Sequence, residues 1–189
     1  MKTPIILASQ SKVRAQMLLD AGLEFEIRPS PYDEELHKAT LSYLTPKETS
    51  LALAKGKAHV VSHHYAQHYV IGADQICAMD DVIFDKPHTF ERAKETLQRL
   101  NGTTHYQHSG ACVFLGGTCI WEEVETVELT MKHLTDTEIE EYIAQDTPLS
   151  ACGAYRYEAG GHKLFTHVNG SAPAIKGLPL NSLLHFLNT

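Results

Sequence analysis

The chain predicts an α/β fold, a β-sheet covered by helices. Three observations carry that prediction. Short apolar strand-like runs alternate with amphipathic helical segments along the whole chain. Helix-start signals punctuate them at Ser11, Thr45-Pro46-Lys47-Glu48, Thr89 and Thr135-Asp136-Thr137-Glu138. With 189 residues, 43% of them hydrophobic, the chain can bury one sizeable core, so a single domain over 1–189, built in two lobes, is expected.

Residues 4–9 read as a strand ending in Ser9-Gln10-Ser11. A helix follows over Lys12 to Ala21, capped by Ser11 and stopped by Gly22. A strand that ends in small hydroxyl residues at a helix N-terminus offers backbone N–H groups and the positive end of the helix dipole to an anion. Arg14 either reaches over that mouth or is a solvated surface arginine. Leu23 to Arg28 alternate as a strand, and Pro29-Ser30-Pro31 leads to Asp33-Glu34-Glu35. Those acids are either magnesium ligands or, more commonly for such a run, a solvated loop.

The capping box at Thr45 with Pro46 opens a helix carrying Leu51, Ala54, Ala58 and Val61 on one face. Lys57 lies between Gly56 and Ala58; by default it belongs to the exposed face. Thr89 caps a helix with Phe90, Ala93, Leu97 and Leu100 inward. Residues 103 to 130 form two long strands joined at Gly116-Gly117, and Thr135 starts a helix with Ile139, Tyr142 and Ile143 as its apolar stripe. Gly160-Gly161 reads as a loose loop before a strand over Leu164 to Val168, and Leu183, Leu184 and Leu187 mark a last helix.

The stretch from Tyr69 to Pro87 is the most informative. It begins as an apolar strand, breaks at Gly72, and sets Asp74 among hydrophobic neighbours. A carboxylate persists there only if paired, hydrogen-bonded or metal-bound. Asp80-Asp81 then turns the chain, and Val82 to Phe84 return it so that Lys86 approaches the Asp74 end. Two readings remain at this point: a metal-assisted site for an anion, or an ion-paired acid in a two-stranded ribbon.

Composition narrows the partners. A net charge of −7 argues against a nucleic-acid polymer, which demands a broad excess of Lys and Arg. Ile5-Ile6-Leu7-Ala8 is too short for a signal-peptide core or membrane span, so a cytoplasmic protein is expected. Cys77, Cys112, Cys119 and Cys152 lack CxxC spacing and read as buried thiols of a reducing compartment. His59 with His63, and His64 with His68, stand four apart, but no acid or cysteine at matching spacing completes a zinc site. No GxGxxG, complete P-loop or GxSxG motif is present.

Taken together, the motifs resemble those of the Maf family of nucleoside triphosphate pyrophosphatases, essentially end to end. The likeness rests on Ile6-Leu7-Ala8-Ser9-Gln10-Ser11 with Arg14 and Leu18-Leu19, Asp33-Glu34, Ala54 to Ala58 with Lys57, and Ile71-Gly72-Ala73-Asp74-Gln75. It continues through Lys86-Pro87, Leu100-Asn101-Gly102, Gly153-Ala154-Tyr155 and Gly177-Leu178-Pro179-Leu180. The resemblance implies a mixed twisted sheet flanked by helices, two-lobed with a central cleft, as in inosine triphosphatases. It implies hydrolysis of a nucleoside triphosphate to the monophosphate and pyrophosphate with Mg2+, or another divalent cation such as Mn2+. By the same resemblance Asp74 is the proton acceptor and Ser9, Arg14, Glu34, Lys57 and Lys86 line the cleft; Ser11 joins them at the helix mouth, and Glu34 and Asp74 fit the holding of the metal or its water, with Asp74 as base, as ligand or as both. A homodimer is compatible with the family.

Departures from the family pattern concern the base. Val13 stands where an arginine is common, and Gln75 and Glu158 stand where members acting on dTTP and UTP carry threonine and glutamine. Gln75 with Glu158 is more similar to the subgroup acting on 7-methyl-GTP, although Val13 lacks that subgroup's tryptophan. Asp85 replaces the usual glycine before Lys86. The chain thus looks closest to a branch known only as general nucleoside triphosphate pyrophosphatases, and action on non-standard or modified triphosphates is the expectation. Two other classes stay open: a nucleotide-binding regulator of septum formation that does not turn nucleotide over, and a metal-dependent phosphatase of small phosphoesters. Convergence of Glu34, Lys57, Asp74 and Lys86 on one place is expected of the enzyme; scatter is expected of the binder.

Overall fold

The computed structural model describes residues 3–188. Seven strands form one mixed sheet: β1 (Ile5–Leu7), β2 (Glu26–Ile27), β3 (Tyr69–Met79), β4 (Val82–Phe84), β5 (Thr104–Leu115), β6 (Thr118–Met131) and β7 (Phe165–Asn169). The order is β2-β1-β3-β5-β6-β7, with β4 paired to β3 beyond β1's reach. β1 runs parallel to β2 and β3, and the remaining pairs are antiparallel. Among the described residues the α-helices are α1 (Lys12–Asp20), α2 (Glu34–Thr40), α3 (Pro46–Ser62), α4 (Phe90–Leu100), α5 (Asp136–Asp146), α6 (Ala172–Ile175) and α7 (Leu180–Leu187). The expected mixed sheet flanked by helices is present, and among the described residues no helix is long and apolar enough to cross a membrane.

β3 is the spine, and its two faces meet different helices. Val70, Gly72, Asp74, Ile76 and Ala78 face α3, where Val70 packs with Ala54, Ala58 and Val61, and Ile76 and Ala78 with Leu53. Ile71 and Ala73 face the α1 and α7 layer with Leu18, Leu178 and Leu183. Further along the same side, Cys77 enters the largest apolar cluster, made with α4, α5 and β7. A strand buried on both faces reads as a nearly continuous apolar run, so a charge within it stands out.

Several boundaries differ from the sequence expectation. β3 passes through Gly72 without breaking. A Cβ there would collide with the Ala54 carbonyl and the Ala58 side chain, so this glycine admits the α3 backbone against the strand. Gly110, opposite Asp74 on β5, is crossed in the same way by the Ser50-Leu51 backbone. The inward stripe of α3 is Leu53, Ala54, Ala58 and Val61; Leu51 is only half-buried because the helix is rolled to present Lys57 inward. Phe90 is exposed, while Ala93, Leu97 and Leu100 are buried. Only Glu26–Ile27 of the 23–28 stretch pairs as strand, and Gly160–Leu164 forms a 3-10 turn where a loose loop was expected.

The cap signals correspond to real geometry. Thr45/Glu48 and Thr135/Glu138 both close reciprocal capping boxes, and Ser11 and Thr89 each accept the backbone N–H three residues on. Cys77 and Cys112 are buried as expected, whereas Cys119 and Cys152 are only half-buried.

Candidate active site

Two layers of side chains meet across β3. On the α3 side, Lys57 Nζ donates to Asp74 Oδ1 at 2.6 Å and forms an ion pair with Glu34 Oε1 at 3.0 Å. Lys57 and Asp74 are buried, so each removes the desolvation penalty the other would suffer alone. The lysine that position alone assigned to solvent is therefore inside, and the close approach of α3 permitted by Gly72 puts it there.

Glu34 arrives from a different element. The acids after Pro31 are not a loop: Asp33 accepts the Leu36 N–H at 3.0 Å and α2 begins at Glu34. The side chain of Glu35 lies outside the described residues. Burial pushes the Glu34 carboxyl up, but the charge and hydrogen bond of Lys57, helped by Lys86 and Arg14, outweigh it and hold the group below the usual carboxylate range. Lys86 is exposed and follows β4, whose pairing of Phe84 with Cys77 returns the chain along β3. Its charge reaches Glu34.

On the other side, Arg14 is buried and threefold anchored. Its Nε donates to Gly177 O at 2.7 Å, and its Nη1 donates to Ala73 O at 2.9 Å and Ser9 Oγ at 3.3 Å. Ser9 Oγ also accepts the Ser11 N–H at 3.2 Å, and Ser11 Oγ accepts the Arg14 N–H at 3.3 Å. Burial pulls the guanidinium down, and the charges of Asp74, Cys152 and Glu34 oppose that pull. Arg14 is thus no surface arginine. It ties the β1–α1 turn, β3 and the Gly177 turn together, and it lies within electrostatic reach of Asp74 and Glu34.

Gln75 points away from Asp74, as neighbouring strand residues must. Its Nε2 donates to Ile175 O at 2.6 Å and Ala174 O at 3.2 Å, joining β3 to the short helix α6. Gly177, with φ of 99°, turns the chain directly beneath Arg14 and Gln75. Val13 is half-buried and packs toward Leu7, Leu18 and Ile71. Glu158 pairs with Arg156 Nε at 3.2 Å, and its charge acts on Tyr142. Among the described residues, no hydrogen bond or ion pair joins Glu158 to Asp74, Lys57 or Arg14.

Sequence reasoning missed Tyr32. Its ring occupies the notch that Gly56 leaves in α3 and stacks on His37 with centroids 4.1 Å apart. Burial, then Asp74 and Glu34, push its hydroxyl ionisation up, so the phenol belongs to the same neighbourhood. The signal was present in Gly56, a helix-interior glycine that needs a packing reason. An open groove of about 580 Å³ lined by Leu41, Tyr43, Leu44, Asp81 and Ile83 contains none of these residues.

The residues fit a hard divalent cation. Oxygens of Glu34 and Asp74 converge on one cation position, now taken by the Lys57 ammonium. Among the described residues no group of three or more His, Cys, Asp and Glu converges on a metal. Two carboxylates with the remaining positions left to water and phosphate is the donor set Mg2+ accepts.

Comparison with known proteins gives the family. A family model described as "Maf-like protein" matches residues 4–189. A Legionella pneumophila protein named nucleoside triphosphate pyrophosphatase is 40% identical over 184 residues, covering 97% of this chain and 92% of its own. Proteins of the same name from Nitrobacter hamburgensis (39% over 188 residues; 98% and 93% covered) and Pelagibacter ubique (36% over 187 residues; 97% and 96% covered) are similarly related. With the match spanning nearly every residue and the relatives aligned over almost their full length, this chain belongs to the Maf family.

Proposed function

We propose that this protein hydrolyses a nucleoside triphosphate to the nucleoside monophosphate and pyrophosphate, on non-standard or modified nucleotides, in the cytoplasm. The observation that carries the reading is the meeting of Lys57 with both Asp74 and Glu34, beside the anchored Arg14. The relatives named nucleoside triphosphate pyrophosphatase support it over their whole length.

The chemistry follows from the side chains. Arg14, Lys57 and Lys86 supply positive charge for a polyphosphate. The Ser9 and Ser11 hydroxyls stand at the N-terminus of α1, where an anion is favoured. Asp74, paired with Lys57, accepts the proton of a water that attacks at the α–β anhydride; the bridging P–O bond breaks and the electron pair leaves with pyrophosphate. Mg2+ or Mn2+ at Glu34 and Asp74 would supply charge neutralisation and a more acidic water. Gln75, which like Arg14 lies against the Gly177 turn, and Val13, next to Arg14 in the chain, are the candidates for setting the base. Glu158, held by Arg156 at 3.2 Å, is the third candidate.

Convergence of Glu34, Lys57 and Asp74, with Lys86 acting on Glu34, favours an enzyme over a septum-associated binder. The test is incubation with Mg2+ and a panel of triphosphates, with the products identified. Monophosphate plus pyrophosphate is expected. Diphosphate plus orthophosphate, or no turnover on any nucleotide, would overturn the reading.

A further inference from the structure

Among the described residues, three cations stand near the Glu34–Asp74 pair, and they are held differently. Arg14 is fixed by the Ala73 and Gly177 carbonyls and Ser9, and cannot leave without opening the fold. Lys86 is exposed and acts on Glu34 by its charge. Lys57 alone has its ammonium between the two carboxylates, at 2.6 Å and 3.0 Å. A divalent ion on the same oxygens needs them at about 2.0–2.1 Å and so claims the ground that the ammonium occupies. Two cations at that spacing repel strongly wherever the site is dry.

We propose that Lys57 is the resident cation of the Glu34–Asp74 pair, so that the site takes its metal as a complex with a nucleoside triphosphate and not as the free ion. The polyphosphate gives the ammonium a second anionic partner. The four-carbon stem of a lysine moves its charge between partners while α3 stays in place. Glu34, whose side chain is 41% exposed against 9% for Asp74, is the open flank by which the complex enters. The free ion would have to leave the ammonium buried and unpaired, whereas the complex does not. This inference rests on the proposed function only in taking a polyphosphate as the ligand.

The experiment is a Mn2+ titration of the full chain without nucleotide, followed by calorimetry and by the signal of free Mn2+ in electron paramagnetic resonance. Lys57→Gln is expected to bind Mn2+ about tenfold or more tighter than the wild type, and Asp74→Asn added to Lys57→Gln is expected to abolish the gain. Equal or weaker binding by Lys57→Gln overturns the inference. A second measurement needs no variant. Mn2+ alone should leave the thermal midpoint of the wild type unchanged, and Mn2+ with an α,β-methylene triphosphate analogue should raise it. A rise of the same size with Mn2+ alone overturns the inference. Neither readout involves turnover, so a failure of hydrolysis would reject the proposed function and leave this result standing.

Discussion

Lys57 Nζ and Asp74 Oδ1 lie 2.6 Å apart between the longest α-helix and the central strand, with both side chains less than a tenth exposed. The contact crosses 17 residues of sequence and depends on an α3 backbone seated directly on Gly72. Asp74→Asn keeps the shape of this contact and removes its negative charge and its basicity. Lys57 retains Glu34 as a counter-charge, so the fold should persist. A loss of about 10²–10⁴-fold in kcat is expected, the usual contribution of a general base. Steady-state kinetics beside a circular dichroism spectrum checks it, and an unaffected rate would exclude Asp74 from the chemistry.

Gly56 and Tyr32 form a notch and its occupant, which predicts a sign change. Gly56→Ala alone drives a methyl into the Tyr32 ring and should destabilise the protein. In a Tyr32→Ala background the same substitution should stabilise it by about 0.5–1 kcal/mol, the ordinary helix-interior gain of alanine over glycine. Urea unfolding of the four proteins measures both steps. Equal effects in the two backgrounds would remove Tyr32 from the notch.

Gly177 takes φ of 99°, and a Cβ there would lie 3.1 Å from Arg14 Nη2 and 3.2 Å from Nε. Gly177→Ala should cost about 1–3 kcal/mol through backbone strain. It should also raise KM for the triphosphate, because the displaced guanidinium is the fixed cation of the site. Thermal unfolding and Michaelis kinetics together test this, and an unchanged KM would separate Arg14 from substrate binding.

His105 is fully buried with Nε2 3.0 Å from the Tyr155 hydroxyl, and its Nδ1 has no partner among the described residues. Burial lowers its pKa to about 4 from an ordinary 6.5. The unfolded chain therefore takes up a proton first as pH falls. The stability that neutral His105 contributes is complete above about pH 6.5 and is lost progressively down to about pH 4, a span worth about 3 kcal/mol. His105→Gln should lose less stability than the wild type over that window in urea unfolding. Parallel curves for the two proteins would show that His105 does not titrate as described.

The class of fold and most of the helix starts are legible in the residues alone, because caps, turns and apolar period are local. Thr45 with Glu48, and Thr135 with Glu138, are legible three residues apart. The sequence also marks Asp74, since a carboxylate inside a run of apolar β residues stands out without any partner in view. Tertiary structure decided which partners that carboxylate has. Lys57 looked like a surface lysine, and only the close packing allowed by Gly72 and Gly110 rolls it inward. Local sequence leaves Arg14 open between surface and site; the Ala73 and Gly177 carbonyls, 59 and 163 residues away, hold it inside. Gln75, adjacent to Asp74 in the chain, points to the opposite layer, where α6 receives it. Burial and pairing are sums over neighbours distant in sequence, so a local pattern can reveal that a charge is out of place and cannot reveal what compensates it.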